Sequence, residues 1–308
     1  MKQISVVLDE TISFIEKRKS GLIVPYKTIV WPKFDKQIEF TANSQTCIAA
    51  WSGKGKTTFL NNILINICNH NNLDSFIILY FSYEESNVQQ LLRKISFHTK
   101  RTIDELLSKD EDYILNHDDG ILDAINSIKK YPIYYEEIPK NPKKMEDIIK
   151  LYRDKNIDKD IFVVMDHHLL SEADDSYKGP RMNIIDLMNM FLRVKKELNT
   201  INILLVQFGR GDDKLLKSTQ FKPETRYAQE SGAIEQASTQ FIGLWTPGDF
   251  GYQYFPEEWG ATLCLEKDLE GNQRVIRIGA NILKNRYKQS NTLIYFEPNL
   301  SIQSFREI

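Results

Sequence analysis

Residues Ala49 to Thr58 read Ala-Ala-Trp-Ser-Gly-Lys-Gly-Lys-Thr-Thr, directly after an apolar stretch and directly before a helical pattern. This is the layout of a phosphate-binding P-loop, Gly-x-x-x-x-Gly-Lys-[Ser/Thr], with Ala50 in place of the first glycine. Gly53 and Gly55 allow backbone N–H groups to curl around an anion at the positive end of the following helix. The segment therefore predicts a nucleotide-binding loop between a strand and a helix.

The polar residues of this loop have distinct expected roles. The ammonium of Lys56 can reach the β- and γ-phosphates, and the hydroxyl of Thr57, which is expected to open the helix, can hold Mg²⁺. An ordinary glycine turn is the alternative interpretation, but Gly-Lys-Thr-Thr between a strand and a helix favours a nucleotide. The predicted nucleotide contacts are Ser52, Gly53, Lys54, Gly55, Lys56, Thr57 and Thr58.

The composition of the 308 residues is that of an ordinary soluble globular protein, with 42% hydrophobic and 27% charged residues. The net charge is −2, so any contact with nucleic acid is expected to be local, in a pore or a groove. Cys47, Cys68 and Cys264 have no metal-ligand spacing and suggest a reducing compartment. No signal peptide and no membrane span of ~18 apolar residues is recognised, so the expected location is the cytoplasm.

Strands and helices alternate after the P-loop. Apolar runs predict buried strands at 75–82, 132–136, 160–165 and 201–206, and helical patterns cover 59–68, 86–98, 101–115, 144–154 and 185–198. Shorter, partly alternating strands are predicted at 241–245, 261–266, 275–282 and 292–296. This order predicts an α/β fold with a mostly parallel central sheet flanked by helices, and ligands at the carboxyl ends of its strands.

The N-terminal residues form a separate feature. Residues 3–18 carry an approximate apolar helical stripe, and the following Gly21 to Pro32 segment is expected to be extended or looped. We therefore divide the chain into an N-terminal arm, residues 1–20, and one domain, residues 21–308. The helix either folds back on its own domain or docks on a neighbouring subunit, and the pattern leaves both open.

Polar residues end three of the predicted strands. Asp166 follows Ile-Phe-Val-Val-Met and is placed to hold Mg²⁺, although a turn aspartate is the alternative. Glu84 follows the strand after the P-loop helix, where a carboxylate could deprotonate an attacking water, and Glu85 competes for that role. Gln207 ends a third strand, where it either binds the γ-phosphate or simply caps the strand. We interpret His167 and His168 as loop or packing residues.

The order of these motifs resembles the C-terminal ATPase domain of DnaB-like replicative helicases, which has a RecA-like fold. Phe-Ser-Tyr-Glu at 81–84 resembles the family's Phe-Ser-Leu-Glu, and Glu-Ser-Gly-Ala-Ile-Glu-Gln at 230–236 matches its Glu-Ser-Gly-x-Ile-Glu-Gln. Residues 131–134, 166–170 and 206–210 resemble three further family motifs. The resemblance covers residues 12–298 and implies a RecA-like P-loop NTPase that binds ATP and Mg²⁺, with an N-terminal linker helix.

The resemblance also implies roles for particular residues. It selects Glu84 over Glu85 as the catalytic base. Lys284-Asn285-Arg286 resembles the family's Lys-Gln-Arg, whose Lys and Arg reach the nucleotide of the adjacent subunit. From the residues alone, Lys284 and Arg286 would be a solvated basic pair. The helix before Gly21 would pack on a neighbour and close a ring.

The function implied is that of a ring-forming, hexameric, ATP-dependent DNA helicase that moves on single-stranded DNA during replication, with a helicase loader or primase as a further partner. The expected DNA contacts are Lys178, Arg181, Arg210, Gln229, Glu230 and Gly232. Two segments depart from the family: Gln229 replaces an Arg, and Tyr-Lys-Gln-Ser at 287–290 replaces Gly-Pro-Thr-Gly. The alternative is a RecA-like ATPase that acts as a nucleotide-gated switch or scaffold without unwinding DNA.

Overall fold

The P-loop lies between a strand and a helix of an α/β structure, seen in a computed structural model that describes residues 1–108, 119–166, 180–209, 223–228, 231–250, 252, 254–255, 262–267 and 273–308. The helices within these ranges are α1 (Ile4–Lys19), α2 (Pro32–Gln37), α3 (Lys56–His70), α4 (Asn87–Thr99), α5 (Ile103–Leu107), α6 (Asp119–Ile128), α7 (Pro142–Lys155), α8 (Pro180–Glu197) and α9 (Ser231–Ala237). The strands are β1 (Ser44–Ala50), β2 (Phe76–Ser82), β3 (Ile133–Glu136), β4 (Asp160–Asp166), β5 (Ile201–Gln207), β6 (Gln240–Trp245), β7 (Tyr254–Phe255), β8 (Thr262–Leu263), β9 (Leu265–Lys267), β10 (Gln273–Val275), β11 (Ile278–Asn285), β12 (Thr292–Asn299) and β13 (Ser304–Glu307).

Nine of these strands form one sheet in the order β13-β12-β11-β6-β1-β5-β4-β2-β3. The six strands from β6 to β3 are parallel, and β11, β12 and β13 add an antiparallel edge. The predicted mostly parallel sheet flanked by helices is therefore confirmed. Its register sets Ala50 of β1 beside Gln207 of β5, and Ser82 of β2 beside Asp166 of β4. Four strands thus end at the same edge of the sheet, where the P-loop begins.

Helices cover both faces of the sheet, which explains the continuous apolar runs of its strands. Side chains alternate between faces along a strand, so Cys47 and Ala49 pack in one core while Ile48 and Ala50 pack in the other. The α3 side of the core is aromatic: Trp31 stacks on Phe59 at 5.1 Å between ring centroids. This packing fixes α3, and with it the P-loop, against the sheet.

Some elements differ from the predicted ones. The predicted strand 261–266 is divided in its described part, because Thr262–Leu263 pairs with β7 while Leu265–Lys267 pairs with β10. The predicted strand 275–282 is divided between β10, which ends at Val275, and β11, which begins at Ile278. Within the predicted helix 101–115, α5 covers Ile103–Leu107, and residues 109–115 lie outside the described residues. These boundaries depend on pairing partners that local periodicity does not reveal.

The N-terminal helix α1 is confirmed, and none of its residues is buried. Arg18 near its end donates a hydrogen bond to Glu39 of the domain at 3.1 Å. Its apolar side chains stay exposed, with Ile4 at 83% and Leu8 at 57%. Helix α1 therefore does not bury its apolar stripe on the described part of its own domain. None of the described helices is long and apolar enough to cross a membrane.

Candidate nucleotide-binding site

The P-loop has the backbone geometry that an anion site needs. Gly53 and Gly55 have φ values of 72° and 76°, in the left-handed region that favours glycine. A Cβ on Gly55 would lie 3.2 Å from Leu300 Cδ2 and 3.3 Å from Phe305 Cζ, so close packing also favours a glycine there. Helix α3 begins at Lys56, one residue before the predicted start. The first helical hydrogen bond runs from the N–H of Phe59 to the carbonyl of Gly55, so the N–H groups of the first helical turn have no acceptor within the helix and can bind an anion.

Lys56 lies at the base of this loop and is only 9% exposed. Burial lowers the pKa of its ammonium, and the charges of Glu84 and Asp166 offset part of that effect. The side chain therefore places a cation between the P-loop and two carboxylates from other strand ends. Such a cation is suited to bind the terminal phosphates of a nucleotide.

Asp166 ends β4 beneath the P-loop and is fully buried. Burial, followed by the charge of Glu84, raises the pKa of its carboxyl to about 6, while a hydrogen bond from Thr57 and the charge of Lys56 lower it in part. Its Oδ2 accepts a hydrogen bond from the Tyr80 hydroxyl at 3.4 Å. Its Oδ1 has no hydrogen-bond partner in the described part of the chain.

A buried carboxylate oxygen without a partner, next to a threonine hydroxyl, fits a hydrated Mg²⁺ ion. Magnesium at nucleotide sites is held by one or two protein oxygens together with phosphates and waters. The described residues hold no group of three or more His, Cys, Asp or Glu that could bind a metal. The donors present at Thr57 and Asp166 therefore suit Mg²⁺ that arrives with a nucleotide.

Replacing Asp166 with asparagine is expected to stabilise the nucleotide-free protein at pH 8. The folded pKa of about 6 exceeds the ordinary value of 3.8, so folding favours the protonated carboxyl, and the ionised form costs stability above pH 6. This cost corresponds to about 3 kcal/mol at most; it is fully present above pH 6 and fades as the pH falls from 6 towards 3.8. Urea unfolding of both proteins at pH 8 and pH 4.5, without nucleotide or metal, measures it. A stability difference independent of pH would contradict this account of Asp166.

The two candidate base residues have different surroundings. Glu84 is exposed and close enough to Lys56 and Asp166 to change their pKa values. Glu85 is paired with Arg93 of α4, whose Nε donates to Glu85 Oε2 at 2.8 Å and whose second guanidinium nitrogen donates to Oε1. Glu85 is therefore committed to an ion pair, and of the two residues it is Glu84 whose charge raises the pKa of Lys56 in the P-loop.

Two further residues of the P-loop use their side chains within the protein. Lys54 Nζ forms an ion pair with Asp249 Oδ2 at 2.6 Å. The Thr58 hydroxyl donates to Gln303 Oε1 at 2.9 Å, so a nucleotide contact of Thr58 would use its backbone N–H. Sequence reasoning missed Asp249 and Gln303, because each is far from the P-loop in sequence and belongs to no recognisable motif. Gln207 lies beside Ala50 at the end of β5, on the same edge as the P-loop.

Lys284 and Arg286 lie away from the P-loop of their own chain. In the antiparallel pair of β11 and β6, Lys284 lies opposite Phe241. Phe241 is near the start of β6 and is the neighbour of Cys47 on β1. Lys284 Nζ donates to the carbonyl of Glu235, and Arg286 donates to the carbonyl of Gln236 at 3.0 Å. The fold therefore does not bring this pair to its own nucleotide site.

The expected DNA contacts are only partly described. Lys178, Arg210, Gln229 and Glu230 lie outside the described residues, as do His167 and His168. Arg181 lies in the first turn of α8, and Gly232 lies in the first turn of α9. These DNA contacts stay predictions.

The sequence model of one protein family, the DnaB-like helicase C terminal domain, matches residues 30–289. No curated protein matches the chain significantly. Among solved structures, one described as an ATPase domain has a TM-score of 0.79 at 16% identity, over 98% of this chain and 98% of that chain.

A DnaB-like replicative helicase, described with its interactions with primase, has a TM-score of 0.75 at 16% identity, over 97% of this chain and 66% of that chain. A KaiC-like protein from the hyperthermophilic archaeon Pyrococcus horikoshii OT3 has a TM-score of 0.55 at 14% identity, over 93% and 99%. At these identities the structural likeness shows the fold, which is RecA-like as predicted.

Proposed function

Because this chain belongs to the family of DnaB-like helicase C-terminal domains, we propose that it is a ring-forming, Mg²⁺-dependent ATPase that moves along single-stranded DNA. The observation that carries this proposal is the convergence of Lys56, Glu84 and Asp166 at the end of the sheet where the P-loop begins. A cation for the phosphates, a base for water and a metal ligand are the groups that phosphoryl transfer to water requires.

Each residue of the site has one proposed role in ATP hydrolysis. The P-loop N–H groups and Lys56 hold the β- and γ-phosphates, and Thr57 and Asp166 would hold Mg²⁺, which supplies charge neutralisation when bound. Glu84 accepts a proton from the attacking water. Gln207, at the end of β5, donates a hydrogen bond to the γ-phosphate and reports its presence. Burial of Lys56 and Asp166 strengthens these interactions because it excludes water from around the charges.

We propose that Lys284 and Arg286 complete the site of a neighbouring subunit. They lie away from their own P-loop, and a cation near the γ-phosphate stabilises the charge that develops during transfer. Both side chains donate to backbone carbonyls, which are neutral. Their release would therefore leave no unpaired opposite charge behind. This arrangement makes hydrolysis depend on assembly.

Arg286→Ala is expected to be inactive by itself but partly rescued by Glu84→Gln subunits. Each interface takes its base from one chain and its Arg from the next, so a mixed ring contains some interfaces with both groups intact. ATP turnover at fixed total protein should pass through a maximum at intermediate mixing ratios. Full activity of Arg286→Ala alone would contradict the role in trans.

Helix α1 is the proposed contact that closes the ring. Its stripe of Ile4, Leu8, Ile12 and Ile15 is exposed. The same chain has an apolar groove of about 450 Å³ between α4, α6 and β3, lined by residues that include Leu91, Ile95, Ile125, Ile128, Tyr131 and Ile133. A helix and a groove on different parts of one chain give a heterologous contact, which generates a ring when its rotation closes.

Leu8→Glu with Ile12→Glu is expected to convert rings into monomers, because two charges would enter an apolar contact. Mass photometry with ATP and Mg²⁺ measures the distribution of oligomers. Val6→Glu with Ser13→Glu adds the same charge to the opposite side of α1 and should leave rings intact. Equal assembly of both double variants would reject α1 as the ring contact.

The overall proposal is tested by measuring ATP hydrolysis with and without single-stranded DNA. Stimulation by DNA supports a translocase, and a ring that hydrolyses ATP without stimulation supports the switch or scaffold, which Gln229 in place of the family's Arg favours. We propose a helicase loader or primase as a further partner, because one structural relative is described with primase.

A further inference from the structure

A cluster of polar side chains surrounds Arg93 on α4, next to the proposed base Glu84. We call it the Arg93 cluster: Arg93, Glu85, Gln90, Gln303 and Thr58. Arg93 donates from two nitrogens to the two oxygens of Glu85, and from its third to Gln303 Oε1 at 2.5 Å. Gln90 adds a hydrogen bond to Glu85 Oε2 at 3.2 Å. The side chains of Arg93 and Glu85 are only 22% and 19% exposed.

The backbone is held on both sides of Glu84, and on the Glu85 side the cluster holds it. The carbonyl of Glu85 accepts a hydrogen bond from the Ser82 hydroxyl at 2.7 Å, and its carboxylate is held by Arg93. On the other side, the N–H of Tyr83 donates to the carbonyl of Asp166 at 3.3 Å. Glu84 itself is exposed, so its position depends on these two anchored neighbours.

The third nitrogen of Arg93 connects the same segment to the P-loop helix. Gln303 Oε1 also accepts a hydrogen bond from Thr58 in the first turn of α3. Asn62 of α3 donates to the carbonyl of Gln303 at 2.8 Å and accepts from the N–H of Phe305 at 3.0 Å. Gln303 is held with a φ of 53°, an uncommon value for a residue that is not glycine. Arg93 therefore joins the loop after β2 to the helix that carries Lys56.

We propose that Arg93, through Glu85 and Gln303, is a positioning residue that fixes Glu84 relative to the P-loop. The inference rests on the proposed ATPase function. A partly exposed ion pair contributes little stability by itself, whereas a two-nitrogen contact to a carboxylate fixes geometry. A shift of about 1 Å in a reacting group costs on the order of 10²-fold in rate. Loss of Arg93 should therefore lower the rate of hydrolysis by allowing Glu84 to shift.

Arg93→Met is expected to lower kcat by about 10- to 100-fold while changing the Kd for ATP by less than about 3-fold. Arg93→Lys, which keeps a single contact to Glu85, should fall between this variant and the wild type. Arg193→Met removes a similar surface pair, in which Arg193 donates to Glu146 from two nitrogens at 2.7 and 3.2 Å, and should leave kcat unchanged.

The deciding measurement is single-turnover hydrolysis in the Glu84→Gln background. If Arg93 acts through Glu84, adding Arg93→Met there should lower the remaining rate by less than about 2-fold. A further loss as large as in the wild type, or a large rise in Kd, would overturn the proposal. If Arg93→Met does not fold, Gln303→Ala removes one link of the cluster and is tested in the same two backgrounds.

These outcomes separate the inference from the proposed function. A wild-type protein without ATP hydrolysis, or an active Glu84→Gln variant, would reject the proposed function or its base. An inactive Glu84→Gln variant together with a fully active Arg93→Met variant would reject only the positioning role.

Discussion

Lys56→Ala is expected to abolish nucleotide binding or turnover while the fold stays intact. Lys56 is the P-loop cation that lies beside Glu84 and Asp166, whereas Lys54 in the same loop is paired with Asp249. Without Lys56, two carboxylates would face the terminal phosphates with no cation of their own chain between them. Titration with a fluorescent ATP analogue, together with turnover measurements, gives the loss directly.

The fold should tolerate this change, because burial lowers the pKa of Lys56 and the ammonium is therefore not in a favourable environment before nucleotide binds. Thermal unfolding without nucleotide checks this expectation. Lys150→Ala, which removes a surface lysine paired with Glu146, is the matched control and should bind and hydrolyse ATP normally. Near-normal ATP turnover by a folded Lys56→Ala variant would reject the P-loop assignment.

Glu84→Gln is expected to keep ATP affinity but to lower hydrolysis by ~10²-fold or more, since general-base catalysis typically contributes about that much. The amide has nearly the same size as the carboxylate and cannot accept the proton of the attacking water. The substitution also removes the negative charge of Glu84, which raises the pKa of Asp166, so the binding of Mg²⁺ by Asp166 should not weaken. Affinity by equilibrium titration and turnover at saturating ATP separate the two effects.

Glu85→Gln is the informative comparison. Its carboxylate pairs with Arg93, so the amide would weaken that contact without removing a proton acceptor from the site. We expect a loss of less than about 10-fold, smaller than for Glu84→Gln. The opposite order, with Glu85→Gln inactive and Glu84→Gln active, would show that the base assignment is off by one residue.

Much of the fold was predictable because its strands are long and apolar. The runs that form β2, β4 and β5 are buried on both sides of a parallel sheet, and the helices α3, α7 and α8 have clear apolar faces. The helices α2, α6 and α9 and the strand β13 were not predicted. Apart from α6, these elements are only four to seven residues long, too short for periodicity to appear.

The site divides in the same way. Residues in contiguous motifs, such as the P-loop and Asp166 after its apolar strand, were predicted as site residues from the sequence. The spacing left Glu84 and Glu85 open, and the family resemblance selected Glu84. The tertiary structure supplies the physical distinction, since Arg93 of the next helix holds Glu85. Asp249 and Gln303 were missed because they reach the P-loop only through folding.

The class of chemistry could be read from the amino-acid sequence, because a phosphate-binding loop needs glycines, a lysine and a threonine at adjacent positions, and chain order places them together. Folding was needed to show that Glu85 pairs with Arg93 while the charge of Glu84 acts on Lys56, that Gln303 binds Thr58 in the first turn after the loop, and that Lys284 and Arg286 lie away from their own P-loop. These facts depend on strand register and on contacts between distant segments. Local sequence does not encode them, since hydrogen bonds and ion pairs form wherever the sheet order brings their partners together.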